Sequence, residues 1–150
     1  MEIDIQIRNL TRRRVDMPLI KRAIAVAVDG EDRFAGERAE ISVVLVGKKR
    51  MAAINQKYRG VALATDVLSF AHCEGEEFAG ERILGELVVC PAQVAADAES
   101  AGVSARKETA WVAIHGTLHL LGYDHEKNEA AAVRMRDKER GYLKQILNYK

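Results

Sequence analysis

The amino-acid sequence predicts one α/β domain, at the border with the α+β class, in which a small mixed sheet packs against helices. The chain has 150 residues, a length that suits one hydrophobic core, so we expect residues 1–150 to form a single domain. Segments with the patterns of strands and helices occur in the order strand, helix, strand, helix, two strands and three helices. Three of the four histidines also lie within eleven residues, from His115 to His125. The rest of the fold is therefore expected to present this segment.

The strand predictions rest on alternation and on short apolar runs. Ile3, Ile5 and Ile7 alternate with polar residues, which is typical of a strand with one buried face. The run from Ala39 to Val46 predicts a strand with little exposed face. The four predicted strands are 2–8, 39–46, 66–70 and 83–90. The polar, glycine-rich segment from Glu74 to Glu81 is predicted to be an exposed connection.

The helix predictions rest on helical spacing of apolar residues and on the residues that begin and end helices. Asp16 can cap a helix whose early Pro18 needs no amide partner. Ser104 can cap the helix that carries His115 and His119. The predicted helices are 17–29, 49–58, 91–100, 105–121 and 130–146. The glycines that follow helix ends are Gly30, Gly60, Gly102 and Gly122.

The histidine segment predicts a metal site. Residues four apart lie on one face of a helix, so His115 and His119 can present two imidazoles to one point. Gly122 is placed to end the helix and reverse the chain, which brings His125 to the same point. Three histidines with a remaining position for water form an open site of the kind that binds catalytic zinc. The fourth histidine, His72, lies outside the motif and is not expected at the site.

A comparison with metallopeptidases restricts the reactions that this site is expected to catalyse. The spacing of the three histidines, with a glycine three residues before the last, is that of the metzincin metalloproteases. Those enzymes carry a glutamate as general base directly after the first histidine, and this chain has Gly116 there. A peptidase would therefore lack the residue that accepts the proton of the attacking water. Glycine at this position is also expected to leave open space beside the metal.

The segment HGTLHLLGYDH, residues 115–125, closely resembles the signature of the YbeY family of bacterial metal-dependent endoribonucleases. Three further blocks resemble the family in the same order, at 55–59, 65–70 and 84–90. The resemblance implies an α/β fold with a mostly parallel sheet and a metal usually taken to be zinc. It also implies that Arg59 is important for activity. Two residues depart from the usual pattern: Ala71 stands in place of proline, and Glu86 in place of aspartate.

The function implied by the resemblance is endonucleolytic processing of ribosomal RNA with a preference for single strands, including maturation of the 16S rRNA 3′ end and ribosome quality control. We expect His115, His119 and His125 to hold one Zn²⁺, and the guanidinium of Arg59 to contact phosphate oxygens as the catalytic side chain. An alternative role for Arg59 is stabilisation of a helix end by its charge. Asp124 could orient a histidine ligand or form a turn. Thr65 and Asp66 could line the cleft or simply cap a turn, and we favour the turn role for both.

Composition restricts the partners and the compartment. The formal net charge is +1, so RNA binding would depend on local basic patches rather than on overall charge. Two such patches are Arg12 to Arg14 and Lys48 to Arg59, although solvated surface explains the first equally well. The alternating N-terminus lacks the pattern of a signal peptide, and we expect a cytoplasmic protein without membrane contact. Cys73 and Cys90 need no disulfide there.

The expected partners are ribosomal RNA and ribosomal particles, with ribosomal proteins as further candidates. Two alternative functions stay open at this point. One is a ribosome-assembly factor without catalysis, in which the metal is structural. The other is a metal-dependent hydrolase of a different substrate. An open coordination position favours catalysis, because structural zinc sites usually close with a fourth protein ligand.

Overall fold

The computed structural model describes residues 2–31, 38–72, 77–78 and 81–147, which form five strands and five helices. The strands are β1 (Glu2–Asn9), β2 (Arg38–Leu45), β3 (Val67–Ala71), β4 (Glu77–Phe78) and β5 (Glu81–Val89). The helices are α1 (Met17–Asp29), α2 (Lys48–Arg59), α3 (Pro91–Ala101), α4 (Ala105–Leu120) and α5 (Glu129–Leu147). Every predicted strand and helix is present with bounds within two residues of expectation. The predicted fold class is confirmed.

The strands form one mixed sheet in the order β1-β2-β5-β3. β1, β2 and β5 are parallel to one another, whereas β3 pairs antiparallel with β5. The short β4 also pairs antiparallel with β5. The sheet is therefore mostly parallel, as the family resemblance implies. β3 pairs with the edge of β5 that faces away from β2.

The sheet separates two apolar layers, because successive residues of a strand point to opposite faces. Leu87 and Val89 of β5 belong to the larger core, which also contains buried residues of α1, α4 and α5. Val88 of β5 belongs to a smaller cluster with Met51 of α2. Helix α4 packs against α1, α3, α5, β3 and β5. The helix that carries two of the three clustered histidines is thus the central helix of the larger layer.

Two predicted helix caps are present. The side chain of Asp16 accepts a hydrogen bond from the Leu19 backbone N–H at 3.1 Å, and α1 begins at the next residue. The Ser104 hydroxyl accepts one from the Lys107 backbone N–H at 3.0 Å and begins α4. Each cap satisfies a backbone donor that the first turn of a helix leaves without a partner. The start of the histidine-bearing helix is therefore fixed locally.

The segment predicted as an exposed connection differs from expectation. Residues 73–76 and 79–80, including Cys73 and Glu74, lie outside the described residues. Between them, Glu77 and Phe78 form β4, and pair with Arg82 and Glu81 of β5. A two-residue strand is too short to show alternation in the sequence, so the pattern could not reveal it. Elsewhere, Cys90 is a free, buried cysteine, as expected.

Membrane contact was not expected from the sequence. None of the helices in the described part of the chain combines the length and the apolar character that a membrane crossing requires.

Candidate metal centre

Helix α4 presents His115 and His119 on one face, four residues apart. Their ring centroids are 4.7 Å apart, and both side chains are half-buried. The ring of Trp111, one turn earlier, stacks on His115 with a centroid distance of 4.8 Å and an interplanar angle of 27°. The helical spacing therefore places the two imidazoles as predicted, and packing against Trp111 holds the first ring.

A tight turn after α4 returns the chain to the first two histidines. Gly122 has a φ of 101°, its N–H donates to the His119 carbonyl at 3.1 Å, and the Tyr123 N–H donates to Leu118 at 3.0 Å. These two bonds form the glycine-dependent helix end called a Schellman motif. His125 then reaches the site, with its Nδ1 atom 3.1 Å from His119 Nε2. The structure thus brings all three histidines together.

The three histidines fit a divalent metal. One potential ligand nitrogen from each of His115, His119 and His125 lies within 4.8 Å of the other two. In a tetrahedral zinc site, two nitrogen ligands lie about 3.3 Å apart, close to the 3.1 Å between His119 and His125. Within the described ranges, no fourth residue joins this group. The donor set therefore matches an open three-histidine site.

The surroundings of His119 favour its neutral imidazole, the form that binds metal. Burial lowers the pKa of His119 below its ordinary value, and the neighbouring His115 and His125 lower it further. A backbone hydrogen bond involving Tyr123 and the charge of Asp124 act in the opposite direction. The lowered pKa means that His119 loses its proton more readily than an exposed histidine does.

A buried carboxylate orients His115. Glu139 of α5 is buried, and its Oε2 atom accepts a hydrogen bond from His115 Nδ1 at 2.6 Å. This bond places the ring proton on Nδ1 and leaves Nε2 free to bind a metal, an arrangement common to histidine ligands. The sequence reasoning missed Glu139. The sequence feature that could have revealed it is a charged residue at a position where helical spacing places the buried side chains of α5, which include Met135, Tyr142 and Ile146.

A second buried carboxylate holds the turn that carries His125. Glu31 follows α1, and its Oε1 atom accepts a hydrogen bond from the Tyr123 hydroxyl at 2.7 Å. Its Oε2 atom accepts one from the Tyr142 hydroxyl of α5 and lies 3.4 Å from the Lys138 ammonium. Burial alone would raise the pKa of Glu31, but these two hydrogen bonds and the charge of Lys138 outweigh it and lower that pKa. The sequence reasoning also missed this carboxylate.

The histidines open into a cleft of about 510 Å³ that Arg59 also lines. Arg59 is the last residue of α2, and its Nη2 atom lies 4.0 Å from the Oε1 atom of Glu126, which also lines the cleft. The other lining residues come from β3 and its approach, and from the turn after α4; they include Thr65, Asp66, Ser69, Ala71 and Asp124. Arg59 and the three histidines, which were predicted as site residues from separate segments, thus share one cleft.

Residues around the histidine group mostly make local contacts. Asp124 Oδ1 accepts a hydrogen bond from the Glu126 backbone N–H at 3.0 Å, which is the turn role. Asp66 Oδ1 accepts one from the Val67 backbone N–H at 2.7 Å, also a local role. His72 follows β3, donates its backbone N–H to Leu84, and is not part of the histidine group. The departures at Ala71 and Glu86 are exposed, and Ala71 lines the cleft.

The expectation for Gly116 was wrong. This glycine is buried, and a Cβ atom there would lie 2.9 Å from a Leu87 methyl group and 3.2 Å from one of Val67. The Ser69 hydroxyl donates to its carbonyl at 3.2 Å. Gly116 therefore permits close packing of α4 on β3 and β5, and its missing side chain faces the sheet instead of opening space beside the metal site. A glutamate at this position would require Leu87 and Val67 to move.

Comparisons with known proteins identify the family. The family model described as "Endoribonuclease YbeY" matches residues 6–147. The chain is 37% identical over 145 residues to "Endoribonuclease YbeY" of Roseiflexus castenholzii, covering 94% of this chain and 90% of that protein. It is 45% identical over 107 residues to the protein of the same name from Pelotomaculum thermopropionicum, covering 69% and 70%.

The fold is also similar to a solved structure. The solution structure of TM1509 from Thermotoga maritima superposes with a TM-score of 0.66 and 28% sequence identity. The match covers 97% of this chain and 90% of that one. The similarity therefore extends over nearly the whole fold.

Proposed function

Because this chain belongs to the YbeY family of endoribonucleases, we propose that residues 1–150 form one metal-dependent hydrolase domain that cuts single-stranded RNA. Endoribonucleases are RNA-cleaving hydrolases, and the chain is one of them. The proposal adds the residues that perform the reaction and the RNA on which it acts. Its main support is the shared cleft, which Arg59 and the three grouped histidines all line.

We assign the metal to His115, His119 and His125, and its identity to Zn²⁺. When bound, such an ion would polarise a phosphoryl oxygen and lower the pKa of a water molecule to about 7. Glu139 keeps His115 in the tautomer whose Nε2 atom is free. Trp111 stacks on the ring of His115, and the glycine-dependent turn positions His125. The chain's own contribution is therefore a set of imidazoles whose orientation is fixed before a substrate arrives.

Arg59 is the residue that we assign to the phosphodiester. Its planar guanidinium can bind two non-bridging oxygens, where negative charge develops as the bond breaks. The ion pair with Glu126 is long and exposed, so it contributes little and a phosphate can replace it. Removing a donor of this kind typically costs about 3 kcal/mol of transition-state stabilisation.

The proposed substrate is ribosomal RNA in the cytoplasm, with maturation of the 16S rRNA 3′ end and ribosome quality control as the processes served. Family membership and the basic surface of α2 support an RNA substrate. Ribosomal particles, and ribosomal proteins on them, are the proposed partners. In this setting the cleft would receive a single strand, because a duplex offers its backbone in a fixed helical form.

The test is cleavage of a 16S precursor fragment by purified, zinc-loaded protein. His119→Ala should abolish cutting, and Arg59→Ala should lower kcat/KM by roughly a hundredfold, since about 3 kcal/mol is lost. Arg136→Ala, which removes an exposed arginine of α5 outside the cleft, is the matched control and should cut normally. Each variant must retain the wild-type circular dichroism spectrum.

Three other outcomes would change the proposal. Cutting that survives His119→Ala would identify a contaminating nuclease. Equal cutting of unrelated single-stranded RNA would remove the 16S assignment and leave the hydrolytic mechanism. If the zinc-loaded wild type cuts no RNA fragment, the assigned metal chemistry is wrong.

A further inference from the structure

An exposed apolar surface lies at the end of α2, beside the cleft. Tyr58, Val61 and Leu63 are three of the six large apolar side chains that are exposed in the described part of the chain. Leu63 is 70% exposed although its carbonyl accepts a hydrogen bond from the Asn55 side chain at 2.8 Å. Half of these side chains thus fall within six residues, on a segment tied to α2. Such a concentration marks an interaction surface rather than scattered exposure.

Tyr58 is fixed in position and accessible at the same time. Its ring meets that of Phe70 in an edge contact, with centroids 5.0 Å apart at 66°. Phe70 itself packs on the smaller core cluster. Tyr58 nevertheless remains 59% exposed. A ring that is held by a core aromatic and is still largely open to solvent can receive a flat partner with little loss of side-chain entropy.

Both segments that carry this aromatic pair contribute residues to the cleft, although Tyr58 and Phe70 themselves do not line it. Arg59, which follows Tyr58, lines it, and so do Ser69 and Ala71, which flank Phe70 in β3. The backbones that position the two rings therefore also form part of the cleft. A nucleotide next to the phosphodiester in the cleft could reach Tyr58.

The charge around Tyr58 is complementary to RNA. Residues 47–65 contain five cationic residues and no acidic one. One of the five is Lys57, whose ammonium lies 5.2 Å from the centroid of the Tyr58 ring. Aromatic faces beside positive charge bind single-stranded nucleic acid, since bases stack on the rings while the cations contact phosphates. Two copies of this surface would repel each other, which disfavours self-association through it.

We propose that Tyr58 is a stacking platform for one unpaired base of the RNA strand whose phosphodiester lies in the histidine cleft, and that Lys57 contacts the phosphate beside that base. This inference rests on the proposed ribonuclease function and deepens it. A base inside a duplex is stacked on both faces and cannot use the platform. Tyr58 therefore supplies a preference for single strands that the metal centre alone does not provide.

The test combines variants of Tyr58 with RNA that lacks one base. Single-stranded oligonucleotides carrying an abasic nucleotide at successive positions are bound to the full chain in the presence of a chelator, and affinity is measured by fluorescence anisotropy. For the intact RNA, Tyr58→Ala should weaken binding about tenfold, and Tyr58→Leu nearly as much, because stacking needs a ring. Tyr58→Phe should bind within about twofold of wild type. Val133→Ala, at an exposed apolar residue of α5, is the control and should be unchanged.

The abasic series provides the decisive comparison. With wild type, one abasic position should weaken binding about tenfold, and with Tyr58→Ala the same position should have no further effect. Additive losses at every position would overturn the proposal, as would equal binding by all variants. A change in sedimentation of Tyr58→Ala without a change in RNA affinity would instead identify a contact between copies of the chain, and would also overturn it.

Cleavage by the zinc-loaded protein is measured separately, so that the two proposals can fail independently. Dependence of binding on Tyr58 without any cleavage would support the platform and contradict the metal chemistry. Cleavage of RNA by a protein whose RNA affinity does not depend on Tyr58 would support the metal chemistry and contradict the platform.

Discussion

The two sides of the histidine cleft are held in different ways. On one side, the side chains of His115 and Glu139 are only 17% and 9% exposed, and a hydrogen bond of 2.6 Å joins them. On the other side, the side chains of His125, Arg59 and Glu126 are 41%, 56% and 70% exposed, and Glu126 Oε1 lies 3.9 Å from His125 Nε2 and 4.0 Å from Arg59 Nη2. The first side is a buried, short-range contact, and the second is a set of long contacts in solvent.

This difference separates two tasks. A buried hydrogen bond to a charged group is costly to break, so the His115 side fixes the geometry of the site before substrate binds. Exposed ion pairs contribute little to stability, so the Arg59 side can exchange its protein partner for a phosphate. We therefore expect substitutions on the buried side to change metal affinity and stability, and substitutions on the exposed side to change RNA binding.

The largest effect is expected at the buried contact. Glu139→Ala leaves the Nδ1 donor of His115 without its carboxylate, which should lower zinc affinity about 10- to 100-fold and the free energy of unfolding by about 1–3 kcal/mol. Zinc affinity is measured by competition with a chromogenic chelator, and stability by urea unfolding of the metal-free protein. Asp137→Ala, at an exposed residue of α5, is the control. Wild-type zinc affinity in Glu139→Ala would contradict the division between the two sides.

A smaller effect is expected from the tyrosines that share Glu31. Tyr123→Phe and Tyr142→Phe each remove one hydroxyl from the same carboxylate, so each should lower the free energy of unfolding by about 1–2 kcal/mol. Only Tyr123 lies in the turn that carries His125, so Tyr123→Phe should weaken zinc binding more than Tyr142→Phe does. Isothermal titration of both variants with zinc measures the difference. Equal zinc affinities would show that Glu31 supports the fold as a whole and not the turn.

The same carboxylate predicts a dependence on pH. The pKa of Glu31 is lowered in the folded chain, so its ionised form stabilises the fold above its ordinary pKa of 4.5. This stabilisation should be lost as the pH falls below that value, through the lowered pKa. The difference in unfolding free energy between wild type and Glu31→Gln should therefore be largest near pH 7 and shrink in acid. A difference that grows on acidification would mean that the pKa is raised.

The smallest effect is expected on the exposed side. Glu126→Gln removes the carboxylate that faces Arg59 and should change the free energy of unfolding by less than about 0.5 kcal/mol. It should lower the KM for RNA about twofold at low salt, because Arg59 no longer has a competing partner, and the gain should vanish at high salt. Steady-state cleavage at two salt concentrations measures this. A large loss of stability would show that the two sides of the cleft are held alike.

The sequence was most informative where one short segment determines the structure. The spacing of His115, His119 and His125, with Gly122 between the last two, was enough to predict three imidazoles at one point. Helix caps at Asp16 and Ser104 were also readable, since each acts on backbone N–H groups within three residues. The family resemblance added Arg59, which the spacing of residues alone would not have singled out.

Contacts between distant segments were not predictable in this way. Glu139 lies 24 residues from the histidine that it orients, and nothing in the sequence of either segment indicates that the two are in contact. Gly116 was misjudged because its missing side chain faces the sheet, which depends on how α4 packs on β3 and β5. In both cases the deciding information is tertiary packing. Charged residues on apolar helix faces are the signal to examine first in similar sequences.

The carboxylate of Glu31 also has a consequence for the order in which the protein is made. Its two tyrosine partners are 92 and 111 residues further along the chain, and the second of them, Tyr142, belongs to α5 together with Glu139. A growing chain that has not yet released α5 from the ribosome lacks the contacts of Tyr142 and Glu139, even when all three histidines have been synthesised. The cleft therefore reaches its final geometry only after α5 has left the ribosome. An endoribonuclease built in this way is incomplete until that helix has emerged and packed.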